Sequence, residues 1–165
     1  MGSADFQFIL PDFLQWDLLE SGARLLMAML FAMVLGIDRE ALDKPAGMRS
    51  HMLVSLAAAC LTLMTFSIVD ASDTFGDTVR TDPLRVIEAV VAGVAFLGAG
   101  AIIQSRGTVK GITTGASMWV AGAIGVASGL GQYALAAMTT AFALVVLYAL
   151  RKLEVRLKKR GDAEA

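Results

Sequence analysis

Histidine and cysteine are almost missing from this chain of 165 residues, which holds one of each, His51 and Cys60. A single cysteine cannot support a disulfide framework. Cys60 lies inside an apolar run and reads as a small core residue rather than a redox centre. His51 reads as a hydrogen-bonded residue at an interface rather than a metal ligand. Charge is also scarce: 18% of residues are Asp, Glu, Lys or Arg, against about a quarter in an ordinary soluble domain. Residues 1–20 lack a basic stretch, which argues against a cleaved signal peptide. No acidic segment has EF-hand spacing.

What the chain has instead is long stretches without charge. From Gly111 to Leu150 there are 40 such residues in a row. As one helix they would extend about 60 Å, twice the ~30 Å hydrocarbon core of a bilayer. The run must turn back, and Gly129-Leu-Gly-Gln132 is the place for it. Met52–Val69 and Ala89–Ser105 are each long enough to span, and Leu25–Ile37 becomes so when extended through Arg24 and Gly22. The expectation is an all-α integral membrane protein with five transmembrane helices near 21–37, 51–69, 86–105, 112–128 and 133–150. Residues 1–20, with Phe6, Phe8, Phe13 and Trp16 among Asp5, Asp12 and Asp17, read as an interfacial segment, residues 21–150 as the membrane domain, and residues 151–165 as a basic cytoplasmic tail.

Lysine and arginine set the orientation. Five spans put Arg39, Lys44, Arg49, Arg106, Lys110 and the six basic residues between Arg151 and Arg160 on one side, with only Arg80 and Arg85 opposite. The C-terminus is therefore expected in the cytoplasm and the N-terminus outside. The outer side is acidic, at Asp5, Asp12, Asp17, Glu20, Asp70, Asp73, Asp77 and Asp82, and reads as a solvated rim.

Charges within a bilayer are costly, and they are usually paired or functional. Arg24 and Glu88 fall at similar depth in the first and third spans, where they can pair or snorkel separately to the outer interface. Small residues allow close helix packing in lipid. Gly93, Gly98 and Gly100 in the third span, and Gly111, Gly115, Ala121 and Gly125 in the fourth, predict that these two spans pack tightly. A sharper alternative is a locally unwound third helix lining a polar site. In the basic connection 105–114, Thr113 or Thr114 is placed to cap the fourth helix, whose N-terminal amides favour an anion. The densely charged loop from Asp38 through Arg39, Glu40 and Arg49 to His51 should lie against that connection.

Four segments taken in order, Gly36-Ile-Asp-Arg-Glu40, Lys44-Pro-Ala-Gly-Met-Arg-Ser-His51, Gly93-Val-Ala-Phe-Leu-Gly-Ala-Gly-Ala-Ile-Ile103 and Gly107-Thr-Val-Lys-Gly-Ile-Thr-Thr-Gly-Ala-Ser-Met-Trp119, resemble the MgtC/SapB family of bacterial inner-membrane proteins. The resemblance covers about residues 22–150. It implies a multi-pass protein of the bacterial inner membrane, active in adaptation to low magnesium and, in intracellular pathogens, in survival inside macrophages and hence virulence. It also implies action as a regulator of other membrane machines, the F-type ATP synthase among them. Larger members carry a soluble domain after the last span. Here Arg151–Ala165 follows, the expectation for a short SapB-like member or a form lacking that domain.

Three functions compete on this reading. The first is a non-enzymatic regulator acting through helix contacts with another membrane protein or a second copy, without cofactor, metal or nucleic acid. The second is a small transporter or channel for magnesium or another cation, with Asp38, Glu40 and Glu88 as its polar elements. The third is an intramembrane hydrolase using Ser117 with His51 as base, for which no oxyanion-hole or third-residue signature is present. The span interiors offer mainly threonine hydroxyls, at Thr62, Thr65, Thr139 and Thr140. That is a poor setting for a strongly hydrated ion, so the regulator is preferred.

Overall fold

The computed structural model describes residues 18–74, 82, 84–105 and 108–161. Arg106 and nearly all of the N-terminal segment lie outside them. The described chain forms five helices: α1 (Leu18–Ala41), α2 (Met48–Thr74), α3 (Leu84–Gly100), α4 (Ile112–Gly129) and α5 (Tyr133–Gly161). Between α3 and α4, strands β1 (Ile103–Ser105) and β2 (Thr108–Lys110) pair antiparallel, with Ile103 opposite Lys110. α1 and the Met48–Val69 part of α2 are long and apolar enough to cross a membrane, and Tyr133–Ala149 is a shorter apolar stretch.

Three boundaries depart from expectation. α1 continues past residue 37, so Asp38, Arg39 and Glu40 sit on its last helical turn instead of in a loop. α3 stops at Gly100, short of residue 105, and the β-branched Ile102 and Ile103 lead into the ribbon. α5 runs through the basic segment to Gly161. The alternative of an unwound third helix is not realised, since α3 is continuous through Gly93 and Gly98.

α4 is the hub, packing against all four other helices. Its glycines explain how. A methyl group added at Gly115 would lie 2.9 Å from Gly98 O on α3, and one at Gly125 would lie 2.2 Å from Ser55 O on α2. Backbones approach this closely only where a side chain is missing. Gly98 and Gly115 thus join α3 to α4 as expected, whereas Gly125 serves α2. Ala121 is fully buried. Gly93 and Gly100 have no atom within 4 Å of an added methyl group, so they take no part in internal packing. Gly111, at φ 90°, has the left-handed backbone that glycine favours. An added methyl there would collide with Ala101 O at the base of the ribbon.

Two helices end in the same hydrogen-bond pattern. Beyond α1, Lys44 N–H reaches Arg39 O at 3.1 Å and Asp43 N–H reaches Glu40 O at 3.0 Å, with Asp43 at φ 51°. Beyond α4, Gln132 N–H reaches Ala127 O and Gly131 N–H reaches Ser128 O, with Gly131 at φ 74°. Both are Schellman closures, and the second is the turn that splits the long uncharged run.

The core mixes alanines and a few larger apolar side chains, among them Leu35, Val94 and Ile124, with buried polar residues that include Arg39, His51, Ser55, Thr114, Ser117 and Ser128. Many large apolar side chains lie on the outside. Phe96, Phe142, Leu53, Leu135 and Val145 are exposed, Phe96 by 80%. Cys60 lies on the outer surface of α2 and not in the core. Thr62, Thr65 and Thr140 return their hydroxyl protons to carbonyls one turn earlier, at 2.8 Å each, so their polarity is spent within their own helices.

Candidate functional site

Charged and hydroxyl groups converge where the end of α1, the start of α2, the start of α4 and the later part of α5 meet. Glu40 accepts a 2.8 Å hydrogen bond from Met48 N–H, capping α2 from the preceding helix. Gly47 lies beside it, where an added methyl group would press on the Glu40 side chain. This closure ties the end of α1 to the start of α2 across the 42–47 loop.

Arg39 is 4% exposed and donates from Nη2 to Thr114 Oγ1 at 3.0 Å. Its Nε is buried and, among the described residues, has no partner. One turn along α4, Ser117 Oγ lies 3.0 Å from His51 Nε2 and 2.9 Å from Thr114 O. His51 is fully buried, and its Nδ1 lies 2.7 Å from Gly47 O. A carbonyl only accepts, so Nδ1 carries a proton. The expected contact between the charged segment and the basic connection is therefore made through Arg39–Thr114, and His51–Ser117 continues it into α4. Both contacts are buried.

Beside this contact is a cavity of about 820 Å³ lined by Asp38, Arg39, Leu42, Asp43, Lys44, Pro45, Lys110, Gly111, Thr113, Thr114, Val146, Leu147 and Arg151. Asp38 accepts from Arg151 at 3.4 Å, and Arg151 also lies over the Tyr148 ring at 5.1 Å. Gly111 is the N-cap of α4 and no side chain caps it. The capping role expected of Thr113 or Thr114 is thus not filled, and Thr114 is already in the first turn. Arg49 is exposed, outside the lining.

At the other end of α4, of the two alternatives for Arg24 and Glu88, the pair is not formed. Arg24 forms a salt bridge with Glu20 on its own helix and donates to Gly129 O at 2.9 Å. A cation there satisfies a last-turn carbonyl of α4 and complements the helix dipole. Glu88 is exposed on α3. Residue spacing along the chain gave both residues the same depth but could not say which helix ends are neighbours. Arg151, missed as a site residue, was marked only by standing at the end of the long uncharged run.

The Ser117 and His51 pair has the spacing of a nucleophile and base. The cavity next to it is lined by Thr114, however, and not by Ser117 or His51. Ser117 also shares its hydroxyl with a backbone carbonyl. The pair works as a tie between α2 and α4.

Comparison with known proteins gives a match to the MgtC family model over residues 25–156. The chain is 34% identical to SrpB of Synechococcus elongatus, covering 85% of this chain and 80% of that protein. It is 34% identical to MgtC of Brucella abortus, covering 87% of this chain and 58% of the relative. It is 33% identical to YhiD of Escherichia coli, provisionally named a magnesium transporter, covering 84% and 64%. A match to a Haemophilus influenzae protein covers 52% of that protein, so the chain spans between half and two thirds of several curated relatives. No solved structure matches it.

Proposed function

The chain belongs to the MgtC family, and on that premise we propose that it is a five-span membrane protein that acts as a non-enzymatic regulator through helix–helix contacts. The process it serves is adaptation to low magnesium, as the family resemblance implies. The many large apolar side chains on the outside of the bundle support membrane placement. In lipid, helices associate through small residues and interhelical hydrogen bonds, and large apolar side chains lose nothing by facing outward. Lys44, Lys110 and Arg151 gather around one cavity at one end of the bundle, which supports a cytoplasmic orientation for that end.

The observation that carries the regulatory reading is the free face of α3. This helix buries Val90, Val94 and Gly98, while Ala92, Gly93, Ala95, Phe96, Ala99 and Gly100 are exposed. Gly93 and Gly100 have open space where a side chain would be. That face suits a second copy or another membrane protein such as the ATP synthase. Gly93→Leu and Gly100→Leu should leave the bundle inserted and folded yet abolish complementation of low-magnesium growth. Full complementation by both variants would remove the basis of this reading.

Cation transport is the second reading, favoured by the name of the Escherichia coli relative. It requires magnesium uptake by the purified protein in proteoliposomes, lost in Glu88→Gln. The regulatory reading expects no flux.

A further inference from the structure

The geometry points to the cavity at the start of α4 as a binding site for a phosphate group carried on a larger molecule, an inference that goes beyond the regulatory reading. Four cations line it, Arg39, Lys44, Lys110 and Arg151, against two carboxylates, Asp38 and Asp43. Asp38 is already engaged with Arg151. α4 begins at the cavity wall and, among the described residues, with no side-chain cap, so its first-turn amides add positive potential there.

Arg39 supplies the independent observation. Its guanidinium is held almost wholly away from solvent and, among the described residues, makes one hydrogen bond, to a neutral hydroxyl. Its Nε has no partner among the described residues. Burying an arginine with an unmet donor is costly unless an anion completes it. A planar guanidinium beside helix N-terminal amides suits phosphate oxygens, which accept from several donors at once. The volume, about 820 Å³, falls within the ~300–1,000 Å³ range of small-molecule sites and leaves room for the molecule that bears the phosphate. A lipid headgroup and a soluble phosphate ester share this chemistry.

The test uses the full chain in two arms. In dodecyl maltoside micelles, which carry no phosphate, inorganic pyrophosphate is titrated calorimetrically. In the second arm, thermal stability is compared between these micelles and the same micelles with added phosphatidylglycerol, without soluble phosphate. Lys44→Gln combined with Lys110→Gln alters two exposed side chains and keeps the buried contact of Arg39. Saturable binding or a stability gain in either arm, weakened about tenfold or more in the double variant, supports the site. Pyrophosphate binding alone identifies a soluble phosphate, and a lipid effect alone identifies a headgroup. Absence of both effects, or effects of unchanged size in the double variant, overturns the inference.

Discussion

His51 Nε2 and Ser117 Oγ lie 3.0 Å apart across the contact between α2 and α4. Nδ1 donates to Gly47 O, and Ser117 Oγ, which donates to Thr114 O, closes the contact at Nε2. The result is a continuous path from the loop before α2, through the histidine, to the first turns of α4. It fixes how the two helices meet beside the Arg39 cavity.

Ser117→Ala should leave Nε2 buried and unpaired. The expected loss of stability is about 1–3 kcal/mol, the cost of an unsatisfied buried polar group. Thermal unfolding in detergent checks it, and a wild-type unfolding temperature would show that the contact contributes little.

The glycines should separate into two classes. Gly125→Ala pushes a methyl group into Ser55 O and must force α2 and α4 apart, so a loss of more than about 2 kcal/mol is expected. Gly93→Ala meets nothing and should stabilise α3 by up to about 1 kcal/mol through helix propensity. The same unfolding measurement on both variants decides this, and equal effects would contradict the packing described. Gly98→Leu belongs with the first class, because Gly115 O lies 3.2 Å from the added carbon.

Arg24→Gln should destabilise more than Glu20→Gln. The first removes a charged donor from Gly129 O, an interaction of roughly 1.5–3 kcal/mol. The second removes one side of a partly exposed i,i+4 pair, expected to contribute below about 1 kcal/mol. In a double-mutant cycle Arg24 and Glu88 should be additive. A coupling energy clearly above experimental error would restore their pairing.

Topology is checked by single cysteines in a background lacking Cys60. With five spans, cysteines at Ser3 and Ser72 should react with an impermeant maleimide in intact cells, and one at Gly161 only after permeabilisation. External labelling at Gly161 would rule out the proposed orientation.

Much of the helical layout was legible in the chain because a charge-free run longer than a bilayer can only turn where glycines permit it. Gly131 at φ 74° is that turn. The approach of the Asp38–His51 segment to the start of α4 was also legible, since both segments lie at the same ends of their helices. Partner choice was not. Sequence spacing measures depth along a helix but not its rotation or its neighbours. Arg24 therefore seemed suited to Glu88, when the end of α4 places Gly129 O within its reach. The glycine stripes told that helices approach closely without telling which ones. Gly98 and Gly115 face each other, Gly125 faces α2, and Gly93 and Gly100 face away from the bundle. Five helices and their polarity pattern follow from the chain alone, because hydrophobic length and charge are local properties. That Arg39 is buried beside an uncapped helix, its Nε without a partner among the described residues, follows from the packing, because the arrangement needs segments far apart in the chain to meet at one point.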